Sequence, residues 1–451
     1  MAETIAAIAT GMVRSAVGIL RLSGPGSLAA ASACFTPRSG RPLGDYPPGR
    51  LVLGTLRDAS GAVIDQCLAT WSRAPHSYTG EETAEIQCHG SPTVLAAGLE
   101  ALFAHGARQA EAGEFTKRAF LNGKLDLIQA EAVADLIDAQ TPDAARNAAG
   151  QLERAMTRRI EAVADRLTDL LAHFHAVLDY PDEDIDPLEA EEIAETLRAA
   201  AAELDGLRAS YRRGRQLTEG IPCAIVGRPN AGKSSLLNAL LGYERAIVTA
   251  VPGTTRDTVE ERCVLGGVLL RLMDTAGLRE TEDVVERLGV ERSRAALARA
   301  ELALVLLDGS EALTPEDGEI LRLAGQCPHR IVLVSKSDLP QVLRLPEGIE
   351  AVTVSSVTGQ GLEALEEEIR RRFAAAPATA GELITNARQA ETVGRAAESL
   401  QAASEALAEG LAPDAVLSDV EGALAALGQV TGRSVTEEVT ARIFQRFCVG
   451  K

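Results

Sequence analysis

Gly227-Arg228-Pro229-Asn230-Ala231-Gly232-Lys233-Ser234-Ser235 decides the fold of this 451-residue chain. Ahead of it, Ile221-Pro222-Cys223-Ala224-Ile225-Val226 reads as a buried strand. Behind it, Leu236-Leu237-Asn238-Ala239-Leu240-Leu241 opens a helix, which gives the strand–loop–helix setting of a phosphate loop. Backbone N–H groups of the loop and of the helix N-terminus would cradle phosphate oxygens, with Asn230, Ala231, Gly232, Lys233, Ser234 and Ser235 lining the cradle. Lys233 would reach the β- and γ-phosphates, and the Ser234 hydroxyl would join the shell of a magnesium ion. Gly232 lets the backbone come close to the phosphates.

Four further segments follow and together point to GTP. Asp274-Thr275-Ala276-Gly277 ends the apolar run Leu269-Leu270-Arg271-Leu272-Met273, where Asp274 can hold the magnesium shell and Gly277 can offer its N–H to the γ-phosphate. Between the two motifs, Gly253-Thr254-Thr255-Arg256-Asp257 reads as the switch segment, with Thr255 as the second hydroxyl on magnesium. Ser335-Lys336-Ser337-Asp338 follows the strand Arg330-Ile331-Val332-Leu333-Val334. The Asp338 carboxylate can accept from the guanine N1–H and 2-amino group together, a pair of donors that adenine lacks. Ser355-Ser356-Val357 ends a last strand, and Ser356 could offer its N–H to the guanine carbonyl.

The totals bound the rest. The length predicts about three domains. A net charge of −19 excludes a general basic coat for nucleic acid, so any RNA contact is local. The seven cysteines show no paired spacing, which fits a reducing compartment and excludes a familiar zinc motif. The first residues lack a basic leader, and Arg14 interrupts the one tempting apolar stretch, so the expected chain is soluble and cytoplasmic, with no membrane span. Lysine is scarce: Lys117, Lys124, Lys233, Lys336 and Lys451 are all there is beside 40 arginines. Such lysines are expected where a compact ammonium is required and a planar fork would not fit.

Along the chain, residues 1–121 alternate β-like runs with turns and read as an α+β N-terminal domain. Residues 122–216 are helical, broken at the acidic Asp179-Tyr180-Pro181-Asp182-Glu183-Asp184. Residues 217–378 alternate strands and helices as an α/β P-loop GTPase (Ras-like) domain, and 379–451 are helical again. The α/β domain is thus expected to be inserted into one all-α helical domain, with 374–381 as a linker.

This order of parts, with Gly18-Ile19-Leu20-Arg21, Tyr78-Thr79-Gly80-Glu81, Gly113-Glu114-Phe115, the run 118–127 and the ending Phe447-Cys448-Val449-Gly450-Lys451, resembles the MnmE (TrmE) family of tRNA-modifying GTPases over essentially the whole chain. The resemblance implies a homodimer formed through a folate-binding N-terminal domain. It also implies an FAD-dependent partner, MnmG, in a heterotetramer, and installation of a carboxymethylaminomethyl-type group at the 5-position of the wobble uridine of certain tRNAs. A tetrahydrofolate derivative, 5-formyl- or methylene-, would carry the one-carbon unit. Position by position, it implies folate contacts at Arg21, Glu85, Lys124 and Lys451. The catalytic glutamate falls on Glu286, and Cys448 falls on a cysteine needed for modification. The same resemblance implies a potassium ion held by Asn230 and by a loop containing Thr249, Val251 and Thr254.

Several positions depart from the family pattern. Leu278 stands where many switch GTPases carry a glutamine, and Ala250 and Pro252 would stiffen the potassium loop. Ser335 replaces the usual asparagine and is expected to be too short to make the same contacts to the base and the phosphate loop, which would weaken GTP binding. Two other readings of the motifs are a ribosome-assembly GTPase, which shares Gly-Thr-Thr-Arg-Asp, and a non-catalytic nucleotide switch.

Overall fold

The computed structural model describes residues 3–179, 190–243, 261–273, 294–373, 380–411, 413–434, 437–445 and 447–450. Most of the acidic break at 179–184 and of the linker at 374–381 therefore lies outside the described residues. The chain divides into two compact units: Met1–Ala134 with Leu152–Ile193 and Ala402–Lys451, and Asp135–Gln151 with Ala194–Gln401.

From the N-terminus the elements are β1 (Ile5–Ile8), β2 (Ser15–Ser23), α1 (Ser27–Cys34), β3 (Phe35–Pro37), β4 (Val52–Arg57), β5 (Val63–Ser72), β6 (Thr83–Gly90), α2 (Pro92–Ala104) and β7 (Arg108–Gln109). The strands form one sheet in the order β3-β4-β5-β6-β2-β1-β7, antiparallel except where β1 meets β7. Side chains alternate across a strand, so one face gathers Leu20, Leu22, Leu56, Ala69, Trp71 and Ile86 into a core with Leu95 and Leu102 of α2. The opposite face carries Arg21, Thr70 and Glu85.

The chain continues through α3 (Glu114–Leu121), α4 (Leu127–Asp138), α5 (Pro142–Leu152), α6 (Ala155–Asp179) and α7 (Ala190–Glu219). Next come β8 (Ile221–Val226), α8 (Lys233–Tyr243), β9 (Glu261–Leu265), β10 (Val268–Leu272), β11 (Leu302–Asp308), α9 (Pro315–Ala324), β12 (His329–Ser335), β13 (Ala351–Thr353) and α10 (Leu362–Phe373). Helices α11 (Ala387–Ala408), α12 (Pro413–Thr431) and α13 (Glu437–Phe444) close the chain. This is the expected α+β domain, all-α domain and inserted α/β P-loop domain. Among the described residues no helix is long and apolar enough to cross a membrane.

The second sheet runs β13-β12-β11-β8-β10-β9 and is parallel apart from the β9–β10 hairpin. That hairpin turns at Gly266-Gly267, both at positive φ (58° and 80°), as a two-residue turn matching strand twist requires. Every residue of β11 is buried. Leu302, Leu304 and Leu306 pack with Leu236 and Leu240 of α8 and Ile369 of α10, while Ala303, Val305 and Leu307 pack with Ile320 and Ala324 of α9. A strand covered on both faces explains its unbroken apolar run. The C-terminal ends of such strands are where ligands of this architecture bind.

In the first unit the conspicuous tail is pinned in place. Val449 bridges to Ala112, and Gly113 donates its N–H to the Cys448 carbonyl at 3.4 Å. Gly113 has φ 67°, and a Cβ there would sit 2.6 Å from the Phe444 carbonyl and 2.9 Å from Phe447. Gly450 has φ 100°, and a Cβ there would sit 2.4 Å from the Ile8 carbonyl. Replacing Gly113 with alanine combines a disfavoured φ with a backbone collision and should cost about 1–3 kcal/mol. Amide exchange should show residues 447–450 released in the Gly113→Ala variant; unchanged protection would contradict this reading of the tail.

Candidate functional site

At the end of β8 the phosphate loop lies directly on β11, so close that a Cβ on Gly227 would fall 2.4 Å from the Leu306 carbonyl. Asn230 takes a left-handed φ of 62° and Gly232 one of 96°, turning the chain back into α8. Lys233 Nζ stretches over the loop and donates to the carbonyls of Gly227 at 2.8 Å and Arg228 at 2.6 Å. Burial pulls its ammonium below the ordinary lysine range, against an opposing pull from Glu316. Ser234 and Ser235 follow on the exposed first turn of α8, and Asn230 is exposed at the tip of the loop. Arg228 turns away, pairing with Asp317 at 2.8 Å and Glu311 at 3.1 Å. Asp317 also closes a reciprocal cap with Thr314 at the start of α9.

The Ser335–Asp338 segment is held at three points. Ser335 Oγ, buried, lies 2.7 Å from the Ala231 carbonyl and 3.1 Å from the Leu307 carbonyl and can donate to either. Serine therefore does reach the phosphate-loop backbone through its hydroxyl. Lys336, at φ 56°, donates to Asp308 at 2.5 Å. Burial alone would raise the Asp308 carboxyl, but Lys336 and the Ser310 N–H and hydroxyl outweigh it and hold the group below the usual range. Asp338 accepts from the Ser355 hydroxyl at 2.6 Å, and that hydroxyl in turn accepts from the N–H groups of Val357 and Thr358. Ser355 thus aims the Asp338 carboxylate, while Ser356 is half-buried and Val357 is exposed.

In the first unit, Arg21 on β2 stands directly opposite Glu85 on β6, with Nε 2.8 Å from Oε1. The Arg21 guanidinium lies 5.9 Å from the ring centres of both Tyr78 and Phe115. Thr70 on β5 is the next cross-strand neighbour of Glu85, and its buried hydroxyl has no hydrogen-bond partner. An orphaned polar atom beside an ion pair fits a polar ligand laid on this face. Lys124 is exposed, its stem against Gly80 in the loop that also holds Tyr78: a Cβ on Gly80 would sit 3.3 Å from Lys124 Cγ. Cys448 is exposed within the pinned tail. Gly450 rests on Ile8, one residue beyond Ala7, which pairs with Arg21.

A charged network fixes this loop. Glu114 is gripped by Arg108 through two bonds (2.9 and 2.7 Å) and by Arg118 at 2.9 Å, and Arg118 continues to Glu81 at 2.9 Å, which accepts from Ser23 at 2.7 Å. Burial works to raise the Glu114 carboxyl, but Arg108, the Glu111 N–H and Arg118 bring it down to about 2.

Thr249, Val251, Thr254 and Thr255 lie outside the described residues, as do Asp274, Thr275, Ala276, Gly277, Glu286 and Lys451. Asp308, Tyr78, Thr70 and Ser355's aiming role were not assigned from sequence. An aspartate ending the all-apolar run Leu302–Leu307 was the one signal available for Asp308.

A family model described as the MnmE helical domain matches residues 127–448, and one described as the GTP-binding protein TrmE N-terminus matches residues 4–124. The tRNA modification GTPase MnmE of Symbiobacterium thermophilum is 45% identical over 455 residues, covering 100% of this chain and 99% of that one. A protein of the same name from Thermus thermophilus is 46% identical over 450 residues with the same coverage. Among solved structures, the G domain of the T. maritima FeoB iron transporter is 27% identical, covering 34% of this chain and 99% of that one at a TM-score of 0.25.

Removing the Ser335 hydroxyl leaves the Ala231 and Leu307 carbonyls short of a donor and should cost about 1 kcal/mol. The Ser335→Ala variant should bind GTP about fivefold more weakly; an unchanged Kd would show that the tether is idle. Because the Glu114 carboxyl is depressed from 4.5 to about 2, its stabilisation is complete above 4.5 and is lost as the pH falls through about 2. The stability gap between wild type and Glu114→Gln, on the order of 2–3 kcal/mol at neutral pH, should close over that window in denaturant titrations. A gap independent of pH would contradict the assignment.

Proposed function

Because the chain belongs to the MnmE family of tRNA modification GTPases, we propose that it hydrolyses GTP to drive a conformational cycle in the modification of the tRNA wobble uridine. In this reading it works in the cytoplasm as a homodimer, together with the FAD-dependent MnmG. The observation that carries the reading is the Arg21–Glu85 pair on the sheet face opposite the core, with the orphaned Thr70 hydroxyl beside it and Lys124 and the chain's tail in the same unit. Glu85 can accept from the amide and amino group of a pterin, while Arg21, Lys124 and Lys451 supply cations for the glutamyl carboxylates. The folate, when bound, supplies the one-carbon unit.

At the nucleotide site, Lys233 is poised to exchange its two carbonyl partners for phosphate oxygens. Ser335, Lys336, Asp338 and Ser355 form a guanine reader that is already ordered. Ser234, Thr255 and Asp274 are the residues to hold magnesium, which would neutralise phosphate charge. Asn230, with Thr249, Val251 and Thr254, would hold the potassium ion that supplies the missing arginine finger's charge. Arg228 cannot take that part while it is paired with Asp317 and Glu311. Glu286 is the residue to orient the attacking water, and Cys448, exposed in the tail, serves modification rather than hydrolysis.

Calorimetric titration of 5-formyltetrahydrofolate should give saturable binding that is lost in Arg21→Ala, while GTP hydrolysis persists in that variant and is faster in potassium than in sodium. A folded, GTP-hydrolysing protein that binds no folate would overturn the folate assignment. Equal rates in the two salts would overturn the potassium assignment.

A further inference from the structure

Asp65 and Cys67 stand two residues apart on one face of β5, and Cys88 lies on the neighbouring β6. The β5–β6 register pairs Leu68 with Gln87, and continuing it by one residue sets Cys67 opposite Cys88. The two sulfurs and an Asp65 carboxylate oxygen all lie within 4.8 Å of one another, the one such convergence of three potential metal ligands among the described residues. We propose that Asp65, Cys67 and Cys88 form a site for one thiophilic divalent cation of the zinc class.

The thiols are nearly inaccessible, at 5% and 2% exposure, and the Asp65 side chain is at 10%. A buried pair of cysteines alone behaves as two small hydrophobes. A carboxylate oxygen converging on them adds a third donor to the two sulfurs. A divalent cation bound there displaces one proton from each thiol to solvent and binds two thiolates and one carboxylate. Soft sulfur ligands select this class over magnesium or potassium. Bonds of about 2.3 Å to two sulfurs in a tetrahedron put those sulfurs about 3.8 Å apart, within the spacing present, and leave a fourth position for water.

Asp65 is also oriented as a ligand should be. His89 donates its backbone N–H to Oδ2 at 2.8 Å, its ring Nδ1 lies 2.8 Å from Oδ1, and the Gln66 N–H donates to Oδ1 at 2.8 Å. Hydrogen bonds of this kind to a ligating carboxylate fix its orientation. Local cysteine spacing, which excluded a zinc motif, could not detect ligands brought together by strand pairing.

The test uses the reduced, chelator-stripped full-length protein. Cadmium titration should develop a thiolate charge-transfer band saturating at one ion per chain, displaced by zinc, with two protons released per ion. Cys448→Ser should leave the band intact, Cys67→Ser or Cys88→Ser should abolish tight binding, and His89→Ala should weaken it about tenfold. If the cysteine variants do not fold, Asp65→Asn and His89→Ala decide, with GTP hydrolysis as the check of folding. Absence of the band in folded wild type, a band lost in Cys448→Ser, or binding unmoved by both Asp65→Asn and His89→Ala would overturn the proposal.

Discussion

Among the described residues, the phosphate loop and the segment that follows β12 both hang from the last three residues of β11. The Gly227 backbone presses on the Leu306 carbonyl, Ser335 Oγ spans the Leu307 and Ala231 carbonyls, and Asp308 holds Lys336. The strand can bear this because both its faces are packed, so its C-terminal end cannot tilt without disturbing the contacts to α8 on one side and α9 on the other. The phosphate loop and the Ser335–Asp338 segment are therefore tied to the same strand end, and a single hydroxyl joins them directly.

The N-terminal unit reaches the same end by different means. No buried parallel strand stands under Arg21; what orders its surroundings is charge and the close approach of glycines. The Arg108–Glu114–Arg118–Glu81 chain ties α3 to the loop that carries Tyr78 and Gly80, and through Ser23 back to β2. Gly113 and Gly450 let the tail lie against Phe444 and Ile8 at distances no side chain would allow. A site built from ion pairs and one tail is softer than one hung on a packed strand.

What could be read from the sequence follows the range of the interaction. The phosphate loop, the strands beside it and the pattern of β2, β5 and β6 were legible because each is written in consecutive residues: a periodicity, a glycine, an apolar run. Arg21 and Glu85 could be singled out by resemblance, but their pairing is a matter of register 64 residues apart. Asp308 with Lys336, and Cys67 with Cys88, were illegible for the same reason. Ser335 is a further case, since the carbonyls its hydroxyl meets belong to Ala231 and Leu307, 104 and 28 residues away.

The scarcity of lysine acquires a physical meaning here. Lys233 Nζ serves carbonyls of two successive residues in a tight turn, and Lys336 leaves a left-handed backbone to meet a carboxylate that is 4% exposed. A guanidinium needs coplanar acceptors and room for its fork; neither the turn nor the pocket around Asp308 offers them. Arg228, one turn away, shows the converse, spreading its fork between two carboxylates on the outside of the loop. Lys124 fits the pattern less tightly, since what it requires is a slim stem to pass Gly80. In a chain that otherwise prefers arginine, each of these three lysines stands where its shape, more than its charge, is what the site uses.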